Sequence, residues 1–214
     1  MAGHVDCLAG FIAALGVESP QLVGLSFGGA LALAVAARHP GLARSLVVVS
    51  GYAGWAGSLP PDVVDQRLTQ ALALSALTAD EFVDALLPTM FSTMPTADDV
   101  DRFTASMRTF HPAGFRTIAR ASAEDLRGDL ARIDVPTLLV YGDQDVRAPL
   151  AVAEHLHSTI AGSARHRLER HRLRAVVWLD FTDPDGMVSE LNLVLDPNLA
   201  GGHPPIPYDM TRPT

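Results

Sequence analysis

The chain has 214 residues, 48% of them hydrophobic, and a formal net charge of −8. That length supports one domain with a sizeable core, and the acidic balance excludes a basic nucleic-acid face or an affinity for anionic membranes. One cysteine, Cys7, leaves no intrachain disulfide; with no long apolar run and no leader-like start, a cytoplasmic setting is expected.

From the N-terminus, Val5, Leu8, Phe11, Ile12 and Leu15 fall at helical spacing, and Gly16 follows as a stop. Cys7 lies in this pattern and reads as a small core residue. "QLVGL" (21–25) is short, apolar and preceded by proline, so it reads as a buried strand. Residues 28–38 are helical, and His39-Pro40 ends them. "SLVVVS" (45–50) is a second buried strand. This alternation argues for a parallel sheet with helices on both faces.

Residues 59–133 are helical throughout. Thr78 to Glu81 fits a capping box ahead of Phe82, Val83, Leu86 and Leu87. Val100, Phe103 and Met107 form another apolar stripe, and Pro88, Pro95 and Pro112 divide the stretch into short helices. Met90, Phe91, Met94, Met107 and Phe110 read as ordinary helix packing, with pocket lining as the less favoured alternative.

"TLLVY" (137–141) returns to the sheet, an acidic loop follows it, and 149–160 is a helix. "ARHRLERHRLR" (164–174) packs five arginines and two histidines and reads as a solvated helix or loop. "AVVWLDF" and "MVSELNLVL" read as two strands joined by "TDPDG". A Pro- and Gly-rich tail ends the chain. The expected division is a core over 1–162 with a cap at about 59–133, a junction over 163–174, and a β-hairpin with tail over 175–214.

The chemistry centres on "GLSFG", residues 24–28, which matches G-x-S-x-G. A strand directly before it and a helix directly after it are the context this pattern requires. There a serine sits on a strained turn, and glycines remove Cβ atoms that would clash across it. The helix start aims backbone N–H groups and a positive dipole end at the site. A phosphate loop needs a Lys-Ser/Thr pair, and a dinucleotide fingerprint needs G-x-G-x-x-G; neither is present.

On "GLSFGGALALAVAARHP", "SLVVVS" and "IDVPTLLVYGDQDVRAP", the chain resembles the α/β-hydrolase family from about 4 to 161. The resemblance implies Ser26 as nucleophile, the Phe27 N–H as oxyanion donor, and Asp145 of the Gly142 to Asp145 stretch as triad acid, with Asp143 second. It implies a helical cap, a small ester, lactone or related carbonyl substrate, and no cofactor or metal. A partial fold is expected, because the strands and the second oxyanion loop that the family carries upstream are not evident. The family's histidine is not in its usual setting either. His171 and His203 are the candidate bases; His155 and His157 read as surface residues on the helix after the acid.

The segment from Ala175 to Tyr208 resembles the last hairpin of the glyoxalase/bleomycin-resistance (vicinal oxygen chelate) family, with Glu190 at the position of a metal-binding glutamate. A lone carboxylate makes no metal site, so Glu190 reads as a hairpin surface residue. Two alternatives to a serine hydrolase stay open: a non-catalytic remnant acting as a binding protein, and a metal-dependent glyoxalase-like enzyme.

Overall fold

The computed structural model describes residues 1–91, 94–109 and 111–168. Helix α1 (Ala2–Ala14), strand β1 (Gln21–Leu25), helix α2 (Phe27–Arg38) and strand β2 (Ser45–Val49) follow one another as expected. A helical insertion comes next: α3 (Pro61–Leu74), α4 (Ala79–Leu86), a short 3-10 turn (Leu87–Thr89), α5 (Ala97–Met107), α6 (Pro112–Ser122) and α7 (Arg127–Leu130). Strand β3 (Thr137–Gly142), helix α8 (Leu150–Thr159) and strand β4 (Ser163–Leu168) complete the described chain.

The four strands form one sheet in the order β1-β2-β3-β4, with every neighbouring pair parallel. Leu25 aligns with Val49, and Val49 with Val140, so the C-terminal ends of β1, β2 and β3 share one edge of the sheet. The expected α/β class, a parallel sheet carrying helices, is therefore the one observed.

β2 is buried along its whole length, as a central parallel strand must be. Leu46 and Val48 join Leu139 and Tyr141 in the main apolar cluster. The alternate residues Val47, Val49 and Val140 face the other way and are buried as well. Helix α2 buries eight of its positions, most of them Ala or Gly, around Leu33 and Val35. These small side chains let α2 lie close against β1 and β2. Its end is tied to α7 by Arg38, whose Nε and Nη2 both donate to Asp129 Oδ2 at 3.0 and 2.8 Å.

In the insertion, the Thr78 hydroxyl accepts from the Glu81 N–H while the Glu81 carboxylate accepts from the Thr78 N–H, completing the expected capping box. A second box, Thr96 with Asp99, starts α5 and was not anticipated. Phe82 is buried with its ring edge-on to Phe115, so α4 and α6 share a small core. Phe91 meets Phe103 edge-on, and Met94 is 89% exposed. Phe110 lies outside the described residues.

Three expectations need correcting. On α1 only Val5 and Ile12 are buried, and Phe11, Leu15 and Cys7 are exposed. Cys7 lies two residues from Val5, about 200° around the helix, and so leaves the stripe that Val5 and Ile12 share seven residues apart. Secondly, the sheet continues past residue 162. Ser163–Leu168, read as a solvated helix or loop, is β4 and pairs with Thr137–Gly142. Its "ARHRL" alternates with the period of a strand, a signal masked by its charge. Thirdly, β1 is an edge strand among the described residues and only Gly24 of it is buried, where a buried strand was expected. The remaining junction, the hairpin over 175–214 and Glu190 lie outside the described residues.

Candidate active site

Ser26 occupies the single residue between β1 and α2, with φ 53° and ψ −114°. A non-glycine residue with such a backbone is strained, and the strain is held by neighbours on both sides. Its N–H donates to the Val49 carbonyl at 2.9 Å, continuing the β1–β2 pairing one step beyond the strand. Its carbonyl accepts from Ala30 N–H at 3.1 Å, closing the first turn of α2.

The glycines around it have unequal roles. A Cβ on Gly24 would lie 2.2 Å from the Gly28 carbonyl oxygen and 2.5 Å from Gly29 nitrogen, so β1 and the start of α2 touch backbone to backbone there. A Cβ on Gly28 would meet nothing within 4 Å, which corrects the expectation that Gly28 relieves a clash. The close contact belongs to Gly29 instead, where a Cβ would lie 3.1 Å from Gly24 oxygen, Gly51 Cα and Val48 Cγ1.

Phe27 is the first residue of α2, so its backbone N–H is among those a helix cannot pair internally. Its ring is met edge-on by His4 of α1, at 5.3 Å between centroids. That contact holds the Phe27 side chain against α1.

Asp145 lies in the loop after β3, one strand beyond β2 along the same sheet edge. Its Oδ1 accepts from the N–H groups of Arg147 and Ala148 at 2.8 and 2.9 Å, and its own N–H donates to Gly142 oxygen at 3.3 Å. Its Oδ2 accepts from the Ser50 hydroxyl at 2.7 Å. Ser50 follows β2, has φ 46°, and is 7% exposed. Its N–H donates to the Val140 carbonyl at 3.0 Å. Thus Ser26 is bonded to the end of β2, and the residue after β2 is bonded to the end of β3 and to Asp145.

Two further ties hold the acid loop. The Tyr141 hydroxyl donates to Gly51 oxygen at 2.7 Å. Arg67 of α3 donates to the Tyr52 hydroxyl at 3.0 Å and to the Arg147 carbonyl at 2.9 Å. Burial pushes both phenols up, Tyr141 beyond the usual phenol range; the Asp145 charge adds to each, while Arg67 opposes the shift at Tyr52. Ser50 and Arg67 were not among the residues singled out from sequence. The signal for Ser50 was its place after "LVVV" and before Gly51, which repeats the strand–Ser pattern of "VGLS".

His155 is exposed on α8 as expected, and lines a groove of about 290 Å³ with Ser58, Leu59 and Arg127 that none of Ser26, Phe27 and Asp145 lines. His157 is half-buried, and its Nδ1 pairs with Ser163 Oγ at 2.9 Å. His171 and His203 lie outside the described residues. Among the described residues there is no group of three or more His, Cys, Asp or Glu that could hold a metal ion. Nor is any helix among them long and apolar enough to cross a membrane.

A family model for the alpha/beta hydrolase fold matches residues 1–171. Among curated proteins, the chain is 29% identical over 153 residues to a pimeloyl-[acyl-carrier protein] methyl ester esterase of Neisseria meningitidis serogroup C, covering 69% of this chain and 60% of the relative. The corresponding serogroup A protein matches at the same identity, with 49% of its length covered. The chain thus spans about half to three fifths of the length of these relatives. Among solved structures, an esterase from Exiguobacterium antarcticum superposes with a TM-score of 0.66 at 22% identity, covering 76% of this chain and 63% of that one. The enol-lactonase from Burkholderia xenovorans superposes with a TM-score of 0.59 at 26% identity, covering 77% and 64%.

Proposed function

The chain belongs to the alpha/beta hydrolase fold family, and from that premise we propose that it hydrolyses a small ester or lactone with Ser26 as nucleophile. The observation that carries this reading is the strained Ser26 backbone, φ 53° at a strand-to-helix turn, on the sheet edge where the Asp145 loop also begins. Strain of this kind is retained where it serves chemistry. The named activities of two relatives, a methyl ester esterase and an enol-lactonase, support the same substrate class. Both cleave an acyl carbon–oxygen bond.

The reaction follows from the side chains. Ser26 Oγ attacks the carbonyl carbon as a histidine takes its proton. Asp145 orients that histidine and stabilises its charged form. The oxyanion forms beside the Phe27 N–H at the positive end of α2, a donor worth about a hundredfold to a thousandfold in rate. The acyl carbon–oxygen bond then breaks, and the leaving alkoxide takes the proton back from the histidine. Water, activated by the same base, releases the acid from Ser26. With a lactone the leaving oxygen stays tethered, so one product forms rather than two. The base is assigned to His171 or His203, both beyond the described residues.

The test is labelling with a fluorophosphonate probe followed by peptide mapping. Label on Ser26, lost in Ser26→Ala together with hydrolysis of p-nitrophenyl acetate and a γ-lactone panel, is the expected result. A folded sample that takes no label would overturn the reading and leave the binding-protein alternative.

A further inference from the structure

We infer that Ser50 is a positioning residue for the triad acid: its hydroxyl fixes the direction in which Asp145 presents its free lone pair to the histidine. The inference rests on the serine-hydrolase reading above and extends it to a residue outside the G-x-S-x-G motif and the triad.

The argument starts from lone pairs. A carboxylate offers about four acceptor sites, two on each oxygen. On Asp145, Oδ1 accepts two backbone N–H groups, from Arg147 and Ala148. Oδ2 accepts the Ser50 hydroxyl at 2.7 Å, a length typical of a charge-assisted bond. One site therefore remains, on Oδ2, and the Ser50 bond sets the plane in which it points. A histidine N–H held by Asp145 has to use that site.

The backbone of Ser50 argues that the hydroxyl is wanted. With φ 46°, the position suits glycine, and a serine there is strained. Ser50 is also buried, so the hydroxyl is not there to be solvated. Glycine would relieve the strain and would lose only the donor to Asp145. Strain kept for a side chain that, among the described residues, hydrogen-bonds only to the proposed acid points to the acid's task.

A histidine held at that site would also feel the bond electrostatically. The Ser50 donor draws charge from Oδ2. Without it, the carboxylate stabilises the imidazolium more strongly, and the base's pKa rises. The acidic limb of a rate–pH profile then moves to higher pH.

The experiment compares Ser50→Gly with Ser50→Thr. The readouts are the rate of fluorophosphonate labelling at Ser26 against pH, kcat and KM for p-nitrophenyl acetate, and thermal stability. Ser26→Ala and Asp145→Asn serve as controls. Ser50→Gly is expected to be as stable as the parent or more so, to label about tenfold more slowly with KM little changed, and to show the raised acidic limb. Ser50→Thr keeps the hydroxyl but places a β-branched residue at positive φ, so it should be less stable and yet label at close to the parent rate. Activity then follows the hydroxyl while stability follows the backbone. Parent-like labelling and an unshifted limb in Ser50→Gly, with both controls inactive, overturn the inference alone. Absence of label on parent Ser26, or a silent Asp145→Asn, overturns the hydrolase reading and this inference with it.

Discussion

Arg67 of α3 donates from Nη1 to the Tyr52 hydroxyl at 3.0 Å, and its guanidinium lies 5.7 Å from the centre of the same ring. Its Nη2 reaches the Arg147 carbonyl at 2.9 Å, two residues beyond Asp145. One side chain of the helical insertion thus holds both the segment after β2 and the acid loop. Arg67→Ala removes two hydrogen bonds and a ring contact around a buried tyrosine. The expected loss is about 1–2 kcal/mol, read as a fall of roughly 3–6 °C in Tm. Arg67→Lys keeps a charge but cannot span both acceptors as a planar fork, so it should recover less than half of that loss. Full recovery in Arg67→Lys would mean that charge alone matters.

Alkaline pH should unfold the protein through its tyrosines. Tyr52 and Tyr141 both have raised pKa values in the fold, chiefly from burial. In the unfolded chain they ionise at about pH 10. Their contribution to stability is complete below that pH and is lost as pH climbs toward the raised values, because the unfolded state releases its protons first. The chain contains no lysine, so no lysine side chain titrates in the same window. Urea denaturation midpoints should therefore hold from pH 8 to about 9.5 and fall steadily above about pH 10. Tyr141→Phe leaves the Gly51 carbonyl without its partner, so it should be less stable at pH 8 yet show a shallower decline. An unchanged slope in that variant would contradict the assignment.

The unequal glycines of the Ser26 turn give opposite expectations. Gly24→Ala drives a Cβ to 2.2 Å from a backbone oxygen, and neither side can yield by rotating a side chain. It should cost about 3 kcal/mol or more and lower soluble yield. Gly28→Ala meets open space inside a helix. It should be neutral or gain up to about 1 kcal/mol from helix propensity. Equal damage from the two substitutions, measured by chemical denaturation, would show that the turn is not organised by the Gly24 contact.

Much of this fold was legible in the residues. "QLVGL", "SLVVVS" and "TLLVY" became adjacent parallel strands because short apolar runs between helices have few other ways to be buried. Thr78 and Glu81 capped α4 because that signal is local. What stayed hidden depends on distance along the chain or on competing signals. Ser50 meets Asp145 across 95 positions, and no local pattern announces a partner so remote. The arginines of Ser163–Leu168 outweighed its alternation, so β4 read as solvated chain. The G-x-S-x-G pattern names two glycines but does not say which one touches backbone; that follows from how closely α2 approaches β1. Phe11 and Leu15 fit a helical stripe but are exposed, because α1 buries a narrower face than its apolar count suggests.

The same reasoning predicts that the protein is held below its attainable stability at Ser26. Its φ of 53° with ψ of −114° is accessible to glycine and costly for any residue with a Cβ. Ser26→Gly should raise stability by about 1 kcal/mol, after allowing for the extra freedom glycine gains in the unfolded chain. For a chain of this size that is roughly 2–4 °C in Tm. Ser26→Ala keeps the Cβ, so it should leave Tm nearly where it was. Both variants should take no fluorophosphonate label. The pair separates two ideas usually confounded in a nucleophile substitution. If strain is the cost of presenting the hydroxyl, Gly and Ala differ in stability and agree in inactivity. If the two variants melt together, Ser26 is not strained in the folded protein, and its backbone no longer supports the reading of this turn as a nucleophile's seat.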